Sequence, residues 1–197
     1  MWFGAAMKQA KTFNDRELRA AFACVAARRH GVRDRAIVAV SFYGGLRAHE
    51  IASLTLGAVR GTDGAIVREF LLSPSETKGK QGRKIFLSEK LRKEIAYFLS
   101  RSPKTDPSEP LFKTQKGNRF TANAMCHLFR EIYKEAGIRG ASSHSGRRTF
   151  ITNLAAKGIS VRVLAALAGH ASISTTQRYI DVNDLQLRAA VELAAYA

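Results

Sequence analysis

Arg47, His144, Arg147, His170 and Tyr179 carry side chains whose chemistry and local settings suit attack on a phosphodiester. His144 and Arg147 stand three residues apart at the start of a predicted helix, so both face one side of it. A helix start adds unpaired N–H groups and the positive end of a dipole, and the three together make a phosphate site. Tyr179 follows His170 in LAGHASISTTQRYI, across a small polar linker. A phenol is a weak nucleophile at neutral pH, because its pKa is about 10. It attacks phosphorus only when a base takes its proton and cations hold the phosphate. Arg47 follows the pair Gly44-Gly45, where the backbone can turn sharply and bring a planar fork against a large anion. Glu50, three residues further, could orient that fork. Each piece also has a plainer reading: a helix start with a solvated arginine, a half-buried tyrosine, a surface ion pair.

A basic turn lies between these stretches. TKGKQGRKIFLS carries Lys78, Lys80, Arg83 and Lys84, which suit phosphate contacts in a nucleic-acid groove. A lysine there could also protonate a leaving alkoxide; the plainer reading is solvated charge. Arg148, beside Arg147, is one more candidate phosphate contact. The whole chain shares this bias, with 32 Lys and Arg against 16 Asp and Glu and a net charge of +16. Such an excess concentrates polyanions around a small domain, and double-stranded DNA is the leading partner. An acidic protein partner or ribosomal assembly would fit the charge alone.

The elements that must position these residues read as mostly helical. Residues 1–11 form a lead-in. Asn14 and Glu17 predict a capping box opening a helix that runs to about Arg29, with Gly31 as its stop. A second helix starts near Val32, turns Ile37, Val40 and Phe42 inward, and ends at Gly44-Gly45; a short one spans 46–54. Residues 65–72 and 83–88 read as strands joined by a polar, glycine-containing turn. Helix returns at 89–101, and a proline-rich loop covers 102–110. Thr121 caps a helix that Gly137 ends. Further helices are expected over 144–157, from Ser160 to near Gly169, and from Ser172 or Ser174 to Tyr179. Asn183 caps a final amphipathic segment, 183–195. Cys24 and Cys126 are far apart in sequence and read as buried thiols in a reducing compartment. No zinc-type spacing is present, and no apolar run approaches the roughly 20 residues needed to span a bilayer. The opening residues are too weakly apolar for a secretory leader, so a cytoplasmic location is expected.

Taken together, the segments resemble the catalytic domain of the tyrosine recombinases, the phage integrase family. GGLRAHEIASL is similar to the first family box and places its arginine at Arg47 with the acidic companion Glu50. HSGRRTFITNLAAKG resembles the second, with His144 and Arg147. LAGHASISTTQRYIDV resembles the third, with His170 and the nucleophile Tyr179. The hairpin lysine of the family falls best on Lys78. The resemblance covers roughly residues 12–195. It implies an α+β, mostly helical fold with a small antiparallel sheet inserted among helices, and one catalytic domain over 12–197. It implies strand cleavage through a 3′-phosphotyrosine with no metal and no cofactor. It further implies a homo-tetramer on DNA, with a monomer in free solution an open alternative, and a tail at 183–195 that docks on a neighbouring subunit. A type IB topoisomerase, or a non-catalytic DNA-binding regulator on the same fold, are the rival readings. Two departures stand out. Gly146 replaces a residue that is commonly apolar in the family and is expected to loosen the helix start. The family usually has a separate DNA-gripping domain ahead of the catalytic one, and this sequence begins only about a dozen residues before the first expected helix, as in either a naturally short member or a fragment of a longer chain.

Overall fold

A computed structural model describes residues 9–73 and 82–180, together with 187, 188, 191 and 192. Nine helices and one two-stranded antiparallel sheet are assigned among these residues. Helix α1 spans Asp15–Ala26 and opens with the expected capping box: Asn14 Oδ1 accepts from the Glu17 amide, and Glu17 reaches back to the Asn14 amide. It ends three residues sooner than expected. Gly31 does not follow it as a stop but begins α2, Gly31–Gly44. The chain turns so tightly there that a Cβ on Gly31 would lie 2.6 Å from the Val25 carbonyl oxygen. Helix α2 is buried almost all round from Ala36 to Phe42, as a central core helix must be. It closes on Gly45 in the left-handed region, at φ 65°.

Short helices α3 (Ala48–Ser53) and α4 (Leu56–Val59) follow. The second is a single turn, too short to leave a periodic signal in sequence. Strands β1 (Glu69–Leu72) and β2 (Arg83–Phe86) pair with Glu69 opposite Phe86 and Leu72 opposite Arg83. The first predicted strand was too long at its start. Residues Ile66 and Val67 bond instead to Arg60 and Val59, beside α4. Helices α5 (Glu89–Arg101) and α6 (Ala122–Glu135) begin at Ser88 and Thr121, whose hydroxyls accept from the amides of Leu91 and Ala124. Three helices then approach the candidate nucleophile: α7 (Ser145–Ala156), α8 (Val161–Ala168) and α9 (Ile173–Gln177). Ser160 stands at the start of α8 but makes no side-chain cap bond there. In the expected final helix, residues 187, 188, 191 and 192 are helical, and the rest of 183–195, Asn183 included, lies outside the described residues.

Helices α1, α2, α5 and α6 and the inner face of the sheet share one apolar cluster. Ile151, Ala155, Leu164, Ala165 and Ala168 are also buried but stand apart from it. The α7–α9 unit therefore meets the main body along a seam, and that seam is lined by charged groups. Cys24 and Cys126 are free and only partly buried. No helix among the described residues is long and apolar enough to cross a membrane.

Gly146 does not loosen α7. A Cβ on it would lie 2.2 Å from Ser41 Oγ and 2.9 Å from Ser41 Cβ, so the glycine is what lets α7 approach α2. Gly146→Ala is therefore expected to destabilise the domain by roughly 1–3 kcal/mol through overpacking. Adding Ser41→Gly removes the obstruction, and the pair should cost less than the sum of the two single changes. Thermal melting of the three variants measures this, and a Gly146→Ala protein that melts with the wild type would contradict the packing.

Candidate active site

The C-terminal end of α8 organises the seam. A helix leaves its last carbonyls without intrahelical partners and gathers partial negative charge there. Three arginines take those carbonyls in succession. Arg83 Nη1 donates to Leu167 O at 2.6 Å, Arg147 Nη2 donates to Ala168 O, and Arg47 Nη2 donates to Gly169 O at 3.3 Å. Arg147 Nη1 crosses the seam to Gly45 O at 2.9 Å. Both carbonyl turns rest on glycines in the left-handed conformation. A Cβ on Gly169 would strike Arg83 Cδ at 2.4 Å, and one on Gly45 would strike the Phe150 ring at 2.5 Å.

Glu50 ties the arginines from below. It has no exposed surface, and its Oε1 bonds Arg47 Nη1 at 2.8 Å. Its Oε2 bonds both the Arg47 amide and Arg83 Nη2, each at 2.7 Å. Burial pushes the Glu50 carboxyl up. The nearby Arg83, the Arg47 amide and guanidinium, and Arg147 outweigh that and hold it below the usual carboxylate range. Three guanidinium groups thus surround one carboxylate, and the pocket stays positive. Burial, and then Arg47 and Arg83 as neighbours, pull Arg147 down to about 9, so it remains cationic at neutral pH. An anion placed among these groups would relieve their mutual repulsion. Phosphate chemistry needs this preorganised cationic surface.

His170 and Tyr179 stand at the same place. Their rings stack with centroids 5.7 Å apart and planes 18° apart. His170 Nδ1 meets Thr176 Oγ1 at 2.8 Å, and Thr176 is fully buried. Which of the two donates depends on the imidazole tautomer. Burial, then Arg147, Arg47 and Arg83, lower the His170 pKa from 6.5 to about 4, so the ring is neutral at physiological pH. The sign of the linkage follows. Between pH 6.5 and about 4 the unfolded chain takes up a proton at His170 that the folded chain refuses, so folding weakens as pH falls through that window. His170→Gln cannot take up that proton, and its melting temperature is expected to fall less steeply than the wild type's from pH 6.5 to 4. Parallel slopes in a calorimetric pH series would remove His170 from the account.

Other expected site residues fall differently. His144 is exposed, at the N-cap of α7 one turn before Arg147. Lys78 and Lys80 lie outside the described residues. Lys84 is exposed and paired with Glu69 at 2.8 Å. Arg83 is a correction: it was expected among the surface contacts of the basic turn, but its side chain is only 7% exposed and is spent on Glu50 and Leu167 O. The strand alternation that buries Ile85 also buries Arg83, and that parity was visible in the sequence. Arg148 is likewise occupied, by Gln9, Thr12 and the Tyr179 ring. Thr176 was missed, since nothing in its spacing marks it as the partner of His170. Among the described residues, no group of three or more His, Cys, Asp or Glu could hold a metal ion.

Comparison with known proteins gives a consistent result. A family model described as the phage integrase family matches residues 11–186. Tyrosine recombinase XerA of Pyrococcus furiosus is 32% identical over 166 residues, covering 83% of this chain and 55% of that relative. The chain thus spans little more than half of the relative's length. Among solved structures, the transposon Tn1549 integrase in complex with a circular intermediate DNA superposes with a TM-score of 0.76 at 18% identity, covering 94% of this chain and 66% of that one. The catalytic domain of bacteriophage HP1 integrase gives 0.68 at 22% identity, covering 93% and 95%. At these identities the two structures speak for the fold.

Proposed function

The chain belongs to the phage integrase family, and on that footing we propose that it is the catalytic part of a site-specific DNA recombinase acting through a 3′-phosphotyrosyl intermediate. The observation that carries this is the meeting of Arg47, Arg147 and His170 with the Tyr179 ring at one positive seam, although they come from distant parts of the chain. The relative's name and the neighbour bound to circular DNA support the same substrate class.

In the proposed mechanism the scissile phosphate sits against Arg47 and Arg147, whose fixed forks bind its non-bridging oxygens. They stabilise the charge that grows as phosphorus becomes five-coordinate. Neutral His170 adds one hydrogen bond without adding repulsion. Tyr179 Oη forms a bond to phosphorus, the bond from phosphorus to the 5′ oxygen breaks, and a 5′ hydroxyl leaves. His144 accepts or guides the phenol proton, and Lys78 supplies the proton to the leaving oxygen. The phosphotyrosine keeps the bond energy, so the 5′ hydroxyl of a partner strand can reverse the step on a new strand without ATP. Glu50 and Arg83 hold the two forks in place. Lys80 and Lys84 are proposed as phosphate contacts. Assembly as a homo-tetramer on duplex DNA in the cytoplasm is part of the same proposal, with Leu187 and Val191 exposed on the tail segment where a second copy would dock.

Two plasmid substrates test the reading against simple relaxation. One carries a pair of target sites, taken from the DNA flanking the gene, and the other carries none. Exchange confined to the site-bearing plasmid is the expected outcome. Relaxation of both plasmids without exchange would point to topoisomerase chemistry, and binding with neither product to a regulator.

A further inference from the structure

We propose that Arg148 is a positioning residue that ties the lead-in segment Gln9–Thr12 to the ring of Tyr179. The idea rests on the reading of Tyr179 as the nucleophile. Arg147 and Arg148 are neighbours on α7, about 100° apart around the helix, so one guanidinium enters the seam while the other leaves it. Arg148 Nε donates to Thr12 Oγ1 at 3.0 Å, and its Nη1 donates to Gln9 Oε1. The carbon of the same guanidinium lies 5.4 Å from the centroid of the Tyr179 ring, within the range of a cation–π contact. The lead-in is pinned to the next residue of the helix as well. The Phe13 amide donates to Thr149 Oγ1 at 2.9 Å, and that hydroxyl donates to Ser145 O at 2.8 Å. Phe13 is buried, 4.9 Å from the Phe42 ring and 5.1 Å from the Tyr133 ring by centroid. One end of the lead-in is thus locked into the core, while its preceding residues rest on Arg148.

Tyr179, by contrast, has little local support. It follows α9, a five-residue helix, and a helix that short has marginal stability of its own. Its ring is placed by what it touches, and among the described residues those contacts include a stack on His170 and a cation–π contact with Arg148. His170 is held by Thr176, within the same short stretch of chain. Of these two contacts, Arg148 is the one that reaches outside that stretch. Displacement of residues 9–12, by DNA or by a neighbouring polypeptide, therefore changes the seating of the nucleophile through two hydrogen bonds and one ring contact.

Fluorine NMR on protein carrying 3-fluorotyrosine reads the ring directly. The chain has five tyrosines, and the resonance lost in Tyr179→Phe identifies the one in question. Thr12→Val is expected to move that resonance, and Arg148→Met is expected to move it further. In an Arg148→Met background, Thr12→Val should then have no further effect, while Arg148→Lys should restore part of the wild-type position. Single-turnover formation of the covalent adduct on a nicked suicide substrate should slow about tenfold in Arg148→Met, the scale of one cation–π contact, with DNA affinity unchanged. Thr12→Val removes only one partly exposed hydrogen bond, and it keeps the test open should Arg148→Met fail to fold. A Tyr179 resonance indifferent to Thr12→Val, or shifted equally with and without Arg148, overturns the tie. Loss of DNA affinity in Arg148→Met with an unmoved resonance would make Arg148 a phosphate contact instead. If the wild-type protein forms no adduct while the fluorine cycle is still non-additive, the tie stands and the nucleophile assignment fails.

Discussion

Tyr179→Phe is expected to bind its DNA site with an affinity within about twofold of the wild type, since phosphate contacts by cations dominate binding, and to form no covalent adduct. The change removes one oxygen atom. The ring, its stack on His170 and its contact with Arg148 remain, so the surroundings have no reason to move. The cationic seam proposed to receive the phosphate is built from Arg47, Arg147 and Arg83 around Glu50, and the bonds among these groups do not involve the phenolic oxygen. Binding and chemistry should separate cleanly. A filter-binding or mobility-shift titration gives the first, and a denaturing gel of protein on suicide DNA gives the second. An adduct from the Tyr179→Phe protein would mean that another residue attacks.

Arg147→Ala should lower the rate of cleavage by at least 10²–10³-fold, on the order found for removing one preorganised donor to a developing oxyanion. Arg147→Lys is expected to recover little. The guanidinium fork spans two acceptors on opposite sides of the seam, Gly45 O and Ala168 O, and still offers further donors to a phosphate. A single ammonium cannot cover that geometry. The structural effect of Arg147→Ala has two opposing parts. It leaves two carbonyls to find other partners, at roughly 1–3 kcal/mol for each that stays buried and unsatisfied. It also removes a buried cation that Arg47 and Arg83 repel. The net change in melting temperature should accordingly be modest beside the loss of activity. Single-turnover rates and a melting curve on the same preparation separate the two. A rate within tenfold of the wild type would remove Arg147 from the catalytic surface.

The parts of this arrangement that could be read from sequence were the local ones. Asn14 and Glu17 announce α1 because a capping box is made within four residues. Helices α5 and α6 carry apolar faces of clear helical period behind Ser88 and Thr121. Arg47, Arg147, His170 and Tyr179 could be picked out because each lies in a recognisable stretch of sequence. Glu50 was legible as the partner of Arg47 three residues away, but its bond to Arg83, and the roles of Arg83, Thr176 and Arg148, were harder to see, since their partners lie elsewhere in the fold or have no distinctive spacing. Arg83 is buried because Glu50 on α3 and a carbonyl at the end of α8 both meet it, and neither is near it in sequence. Strand parity turns position 83 inward with Ile85, but the groups that partner a guanidinium there come from α3 and α8. Gly146 shows the same limit from the other side. Read as a weak point in a helix, it is the contact that allows α7 to lie against Ser41.

Identification of the residue that carries nucleotide after cleavage tests the central claim most directly. Wild-type protein would be trapped on suicide DNA, digested with nuclease and protease, and the nucleotide-bearing peptide sequenced by mass spectrometry. The mechanism predicts one modified peptide, containing Tyr179 joined to a 3′ phosphate. A nucleotide on any other residue, or a 5′-linked phosphate on Tyr179, would contradict it.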